Sequence, residues 1–121
     1  MKKILVVDDE EKIRRLVEVT LMSDDHRVLE AENGKEAIEI AKAEKPELII
    51  MDVMMPGGMD GLEATRLLKN DPETKDSYIL ILTAMGQQVD KEKGFDAGAD
   101  DYFANPFSPL DLLKKVEEVL G

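Results

Sequence analysis

Asp8, Asp9 and Glu10 stand together near the start of the chain, directly after an apolar run. Asp52 closes ELIIMD (47 to 52), Thr83 closes YILILT (78 to 83), and Asn105 follows ADDYFA (99 to 104) immediately before Pro106. Each polar residue therefore sits at the end of a run long enough for a strand. If the first, third and fourth runs lie side by side, Asp8, Asp9 and Asp52 converge. Carboxylates brought that close repel strongly, and one takes up a proton unless a cation neutralises them. A hard divalent ion with oxygen ligands answers that need, and Mg2+, which keeps several waters, suits an open site. A metal beside Asp52 could bridge to a phosphoryl oxygen, the setting in which an aspartate becomes a phosphoryl acceptor.

Each residue also has a plainer reading. An Asp pair before a helix often serves as a cap at the positive end of the dipole. An Asp before M-M-P is often a loop residue, and a strand-end Thr often satisfies a nearby backbone group. Taken singly, these signals leave both readings open. Their joint placement at strand ends carries the weight.

The elements that must position these residues follow from periodicity. KILVVD (3 to 8) is a continuous apolar run suited to a strand buried on both faces. Residues 11 to 22 place Ile13, Leu16, Val17 and Thr20 at helical spacing, and RVLEA (27 to 31) alternates like a half-buried or edge strand. Asn33-Gly34 reads as a turn before a helix that stops ahead of Pro46. ELIIMD is the third strand, a helix spans about 61 to 70, and YILILT is the fourth strand. A weaker, polar helix covers about 87 to 97, and ADDYFA is the fifth strand. A last helix follows, with Ser108 as N-cap and Pro109 at its first position. Strands alternating with helices in this way predict parallel βαβ units in a doubly wound α/β sheet. Ligands of such sheets sit beyond the carboxyl ends of the strands.

Composition bounds the function. The chain has 121 residues, 43% hydrophobic and 36% charged, which fits a single globular domain. With 16 Lys and Arg against 27 Asp and Glu, the formal charge of −11 argues against direct nucleic-acid binding. It suits Mg2+ or a basic partner surface. There is no cysteine, which removes disulfides, thiol nucleophiles and thiolate metal sites. No apolar run approaches the ~20 residues of a membrane helix, and the start is too short for a signal-peptide core, so a cytoplasmic location is expected. Neither G-x-x-x-x-G-K-[ST] nor G-x-G-x-x-G occurs, so nucleotide binding finds no motif.

VVDDE (6 to 10), MDVMMP (51 to 56), MDG (59 to 61), LTA (82 to 84), GADDY (98 to 102) and PFSP (106 to 109) together resemble the receiver domain of bacterial two-component response regulators. The resemblance runs in order over essentially all 121 residues. It implies a flavodoxin-like (βα)5 sandwich with strand order 2-1-3-4-5, one receiver domain over 1–121, and no output domain within the chain. It implies that Asp52 accepts the phosphoryl group. By the same resemblance Asp9 and Asp52 bind Mg2+ directly, Asp8 reaches it through water, and Met54 offers its backbone carbonyl. Thr83 would grip the phosphoryl group, Tyr102 would turn inward when Thr83 moves, and small Ala84 would leave access. The phosphoryl donor would be a sensor histidine kinase or a phosphotransfer protein. Such a module is not a conventional enzyme, although it can promote its own phosphorylation and dephosphorylation.

The chain departs from the family pattern at two places. The loop after Asp52 carries one extra glycine, Gly57 or Gly58, which an exposed turn should absorb. The family's lysine is replaced by Asn105, which removes a full charge and several atoms of reach. Pro106 is the candidate for a cis peptide bond, a turn with which Asn is compatible. Asn105 therefore predicts a weakened switch, and leaves as an alternative a degenerate receiver that binds partners without phosphorylation. An aspartate-nucleophile hydrolase is disfavoured, because Met54 stands where such enzymes carry a second Asp. Lys93, Asp100, Asp101, Asp111 and Lys115 resemble the charge pattern of receiver homodimers formed by the fourth helix, fifth strand and fifth helix, although a solvated face is the plainer reading. His26, the lone histidine, is expected to be exposed and inert.

Overall fold

Strands and helices alternate along the whole chain in the computed structural model of the protein. It describes residues 1–55, 58–84, 88–105 and 107–121, without the side chains of 84, 88–91 and 105. The elements are β1 (Lys2–Val7), α1 (Glu11–Leu21), β2 (His26–Ala31), α2 (Gly34–Glu44), β3 (Leu48–Asp52), α3 (Gly61–Lys69), β4 (Tyr78–Ala84), α4 (Gln88–Ala97), β5 (Asp101–Asn105) and α5 (Pro109–Leu120). All neighbouring strand pairs are parallel, in the order β2-β1-β3-β4-β5. This is the flavodoxin-like topology expected from the sequence. Strand order reverses between β1 and β3, so the carboxyl ends of those two strands flank the crevice where ligands of such sheets bind.

The two-residue alternation of each strand divides the interior into two cores. Leu5, Val7, Ile49, Met51, Ile79 and Ile81 pack with Ala37, Ala41, Ala64 and Leu68 of α2 and α3. Ile4, Val6, Leu48, Ile50, Leu80 and Leu82 pack with Val17 and Leu21 of α1 and Leu112 and Val116 of α5. Burial on both faces explains why the central strands read as unbroken apolar runs. Truncating one of these fully buried Leu or Ile side chains to Ala would cost about 2–5 kcal/mol.

Helix ends follow local chemistry. Ser108 accepts a hydrogen bond from the Asp111 N–H, with Pro109 in the first turn as expected. Asp60 caps α3 by accepting from the Glu63 N–H at 2.9 Å. Asn33 does the same for α2 through the Glu36 N–H at 2.8 Å, so Asn33-Gly34 is a helix start and not a free turn. Gly34 sits close against Met59 and Ala64, so that a Cβ would meet Met59 Sδ at 2.8 Å and the Met side chain would have to shift. Lys45 closes α2 in the left-handed region, φ 48°, just before Pro46. Gly98, φ 104°, ends α4 in a Schellman pair: its N–H donates to Phe95 O at 3.0 Å, and the Ala99 N–H to Gly94 O at 2.9 Å. That turn delays the fifth strand to Asp101, two residues later than the apolar pattern predicts. Among the described residues no helix is long and apolar enough to cross a membrane.

Candidate functional site

In the parallel β1–β3 ladder Val7 stands opposite Met51. One residue further along each chain come Asp8 and Asp52, so the register itself delivers two carboxylates to the same edge. Asp9 joins them from the loop: Asp8, Asp9 and Asp52 each offer a carboxylate oxygen within 4.8 Å of the other two. Asp8 is 2% exposed, Asp52 is half-buried and Asp9 is exposed.

Three hydrogen bonds fix Asp8. Its N–H donates to Ala31 O at 3.1 Å, its Oδ1 accepts from the Glu10 N–H at 2.9 Å, and its carbonyl accepts from Arg14 Nη1 at 2.7 Å. The plain capping reading of the Asp pair is not what forms. The N-cap of α1 is Glu10, whose side chain makes no capping bond.

Electrostatics mark the cluster as under-neutralised. Burial, opposed by the Glu10 N–H and reinforced by Asp9, pushes the Asp8 carboxyl up to about 6. Burial and then the Asp8 charge push Asp52 up to about 7, against the Met54 N–H hydrogen bond that favours its ionised form. Two carboxyl groups at adjacent strand ends, whose ionisation burial and mutual repulsion oppose, form a donor set of hard oxygens that a divalent cation would ionise fully.

Thr83 lies one residue beyond Leu82, the partner of Asp52 in the β3–β4 ladder. It is 2% exposed, and its hydroxyl has no hydrogen-bond partner among the described residues. It does not serve as a backbone-satisfying hydroxyl. An orphaned buried donor beside a carboxylate cluster is rare enough in a folded chain to point to a group absent from the resting site. Tyr102 pairs with Ile81 across the β4–β5 ladder, packs on the α2–α3 core, and meets Phe95 edge to face at 5.8 Å. Asn105 ends β5 opposite Ala84, so the backbone brings that position to the same edge of the sheet. The side chains of Asn105 and Ala84, and the bond before Pro106, lie outside the described residues. Of the two loop glycines, Gly58 is exposed with φ 89° and open space around it, while Gly57 lies outside the described residues. Met54 is an exposed residue of that loop.

Two residues at this edge escaped the sequence reading. Arg14 is a buried cation, 8% exposed, beneath the Asp8–Asp9 backbone. A charge at a core-facing helical position, six residues beyond Asp8, was the available signal. Gly61 approaches the Asp52 carbonyl so closely that any side chain is excluded, and only its place in MDG hinted at this.

The remaining charges are largely spoken for. Asp100 pairs with Lys69 at 2.7 Å and accepts from the Ile79 N–H. Asp101 pairs with Lys115 at 2.8 Å. Lys93 and Asp111 are exposed. His26 is half-buried, contrary to expectation, because it opens β2 with Nδ1 3.3 Å from the carbonyl of Leu21 at the end of α1.

Comparison with known proteins identifies the family and the fold. The family model for the response regulator receiver domain matches residues 4–117. The chain is 44% identical over 119 residues to the phosphate regulon transcriptional regulatory protein PhoB of Pseudomonas aeruginosa, covering 98% of this chain and 52% of that protein. It is 44% identical over 118 residues to the transcriptional regulatory protein ResD of Bacillus subtilis, covering 98% and 48%. The chain thus spans about half the length of these curated relatives. Among solved structures, the chemotaxis response regulator CheY4 of Vibrio cholerae superposes with a TM-score of 0.90 at 35% identity, covering 98% of both chains. The BeF3-activated DrrB receiver domain does so with a TM-score of 0.87 at 33% identity, covering 99% and 97%.

Proposed function

The chain belongs to the response regulator receiver domain family, and from that premise we propose that it accepts a phosphoryl group on Asp52. The observation that carries this reading is the pairing of a three-carboxylate cluster with the orphaned Thr83 hydroxyl. The donor is the phosphohistidine of a sensor kinase or phosphotransfer protein in the cytoplasm. A carboxylate oxygen of Asp52 attacks phosphorus, the phosphorus–nitrogen bond breaks, and the imidazole leaves with the bonding pair.

The carboxylates of Asp8, Asp9 and Asp52, with the Met54 carbonyl, are the groups that would hold Mg2+. When bound, it supplies the positive charge that ionises Asp52 and offsets the charge of the transferred group. Transfer of this kind depends on positioning more than on covalent chemistry. Asp8 is fixed by three hydrogen bonds, and Asp52 by its place at the end of β3. The acyl phosphate brings about two negative charges, and the Thr83 hydroxyl has a free donor with which to follow them. Tyr102 lies on the same face of the sheet as Thr83, so the volume Thr83 leaves is available to its ring. The surface of α4, β5 and α5 then changes, and a homodimer through that face is the proposed output.

Asn105 weakens this switch, because an amide replaces the charge-assisted contact that the family's lysine makes. The same substitution supports a second reading, a degenerate receiver that binds partners without phosphorylation. Mass spectrometry after incubation with a small acyl-phosphate donor decides between them. A Mg2+-dependent mass increase that Asp52→Ala abolishes is the expected result. No increase in the parent protein would leave the second reading. Sedimentation mass with and without a phosphate mimic tests the homodimer.

A further inference from the structure

Arg14 is the only buried cation among the described residues. A buried guanidinium is costly unless its donors are used and its charge compensated. Its donors are used on two elements at once. Nη1 reaches up to the Asp8 carbonyl at 2.7 Å, and Nε reaches across to Glu30 Oε1 on β2 at 3.2 Å. The Asp8 carbonyl belongs to the peptide plane that joins Asp8 to Asp9, and the Asp8 N–H is held by Ala31 O, so Arg14 completes the constraint on the Asp8 backbone and restrains one side of Asp9.

Resting on the reading of Asp8, Asp9 and Asp52 as cation ligands, we propose that Arg14 is a positioning residue for the cation site. Clamped by Glu30, it holds the Asp8–Asp9 peptide in the orientation that a small octahedral ion requires. Its charge alone acts in the opposite direction, since a guanidinium near three carboxylates disfavours a further cation. Positioning and charge therefore predict opposite signs, which makes the proposal decidable.

The test is calorimetric titration of the unphosphorylated protein with Mg2+ and, separately, Ca2+, well below the unfolding temperature. Arg14→Met removes both the charge and the clamp. Arg14→Lys keeps the charge and loses the planar fork, and Glu30→Gln removes the clamping charge from a partly exposed side chain. Positioning predicts that Arg14→Met and Arg14→Lys weaken Mg2+ binding about tenfold, as loss of an outer support typically does. Ca2+ binding should weaken less, because Ca2+ tolerates irregular geometry where Mg2+ does not. Glu30→Gln should lower the Mg2+ to Ca2+ affinity ratio in the same direction. Unchanged or tighter Mg2+ binding in the Arg14 variants, with an unchanged ratio, overturns the proposal. If Arg14→Met does not fold, Arg14→Lys and Glu30→Gln decide it. The parent protein and Asp52→Asn separate the two layers: a parent that binds no Mg2+ refutes the cation site itself, whereas normal binding in parent and variants alike refutes only the role of Arg14.

Discussion

The α-carbon of Gly61 lies against the carbonyl of Asp52, so that a Cβ there would stand 1.9 Å from the oxygen. The Gly61 N–H also donates to Val53 O at 3.0 Å, which ties the start of α3 to the end of β3. The obstacle is backbone, which cannot swing aside as a side chain tip would. Gly61→Ala should destabilise the fold by about 2–4 kcal/mol, at the upper end for overpacking. Urea unfolding measures this, and a loss within error of zero would mean that the β3–α3 junction yields.

Thr83 supplies a prediction with the reverse sign. Its buried hydroxyl has no partner among the described residues, so the folded chain carries that desolvation cost without return. Thr83→Val, which keeps the shape, should leave resting stability unchanged or raise it by about 1 kcal/mol. The same variant should lose the conformational response to phosphorylation. Destabilisation of that size instead would show that the hydroxyl is bonded at rest.

The acid cluster predicts a pH dependence. Asp8 and Asp52 rise from an ordinary value of 3.8 to about 6 and about 7 in the folded chain. A raised carboxyl favours the folded state fully while it is protonated in both states, and that contribution disappears as pH climbs through the folded value. Chelator-treated protein should therefore lose stability, and melt at a lower temperature, as pH rises between about pH 4 and pH 7. Added Mg2+ should cancel the loss near pH 7, and Asp52→Asn should flatten the profile. A parent profile that rises over this interval would sink the prediction.

Asn105→Lys should restore the missing charge at the strand edge. Acyl-phosphate labelling should quicken, or the response at Tyr102 strengthen, by about tenfold if one charge-assisted bond is gained. Equal labelling rates and equal response in the two proteins would show that position 105 does not limit the switch.

These expectations differ in how far the sequence alone could have carried them. The three central strands were legible because burial on both faces leaves an unbroken apolar run, and the helices because one buried face leaves a periodic trace; the edge strands showed weaker patterns. Asp8, Asp9, Asp52 and Thr83 were legible because a polar residue ending such a run is conspicuous. Arg14 was less so: its place on the buried side of α1 with Val17 and Leu21 hinted at burial, but its partners lie on Asp8 and on Glu30 of β2, which no local pattern identifies. The approach of Gly61 to Asp52 was hidden for the same reason. Asn33 misled because one residue type serves both turns and caps, and the helix beyond it decides which. His26 misled because the carbonyl that draws it inward belongs to the end of α1.

The division of the interior by the sheet has a consequence for how the chain can vary. Thr83 and Tyr102 share a face with Ile79 and Ile81, whereas α1 and α5 rest on residues of the opposite parity. Repacking under α1 and α5 can alter how readily the chain unfolds while leaving the line from Thr83 to Tyr102 untouched. Stability draws on both sides of the sheet, so this freedom runs one way: a lineage can adjust durability beneath α1 and α5 without touching the packing of Thr83 or Tyr102, whereas changes around those two residues also disturb the core they share.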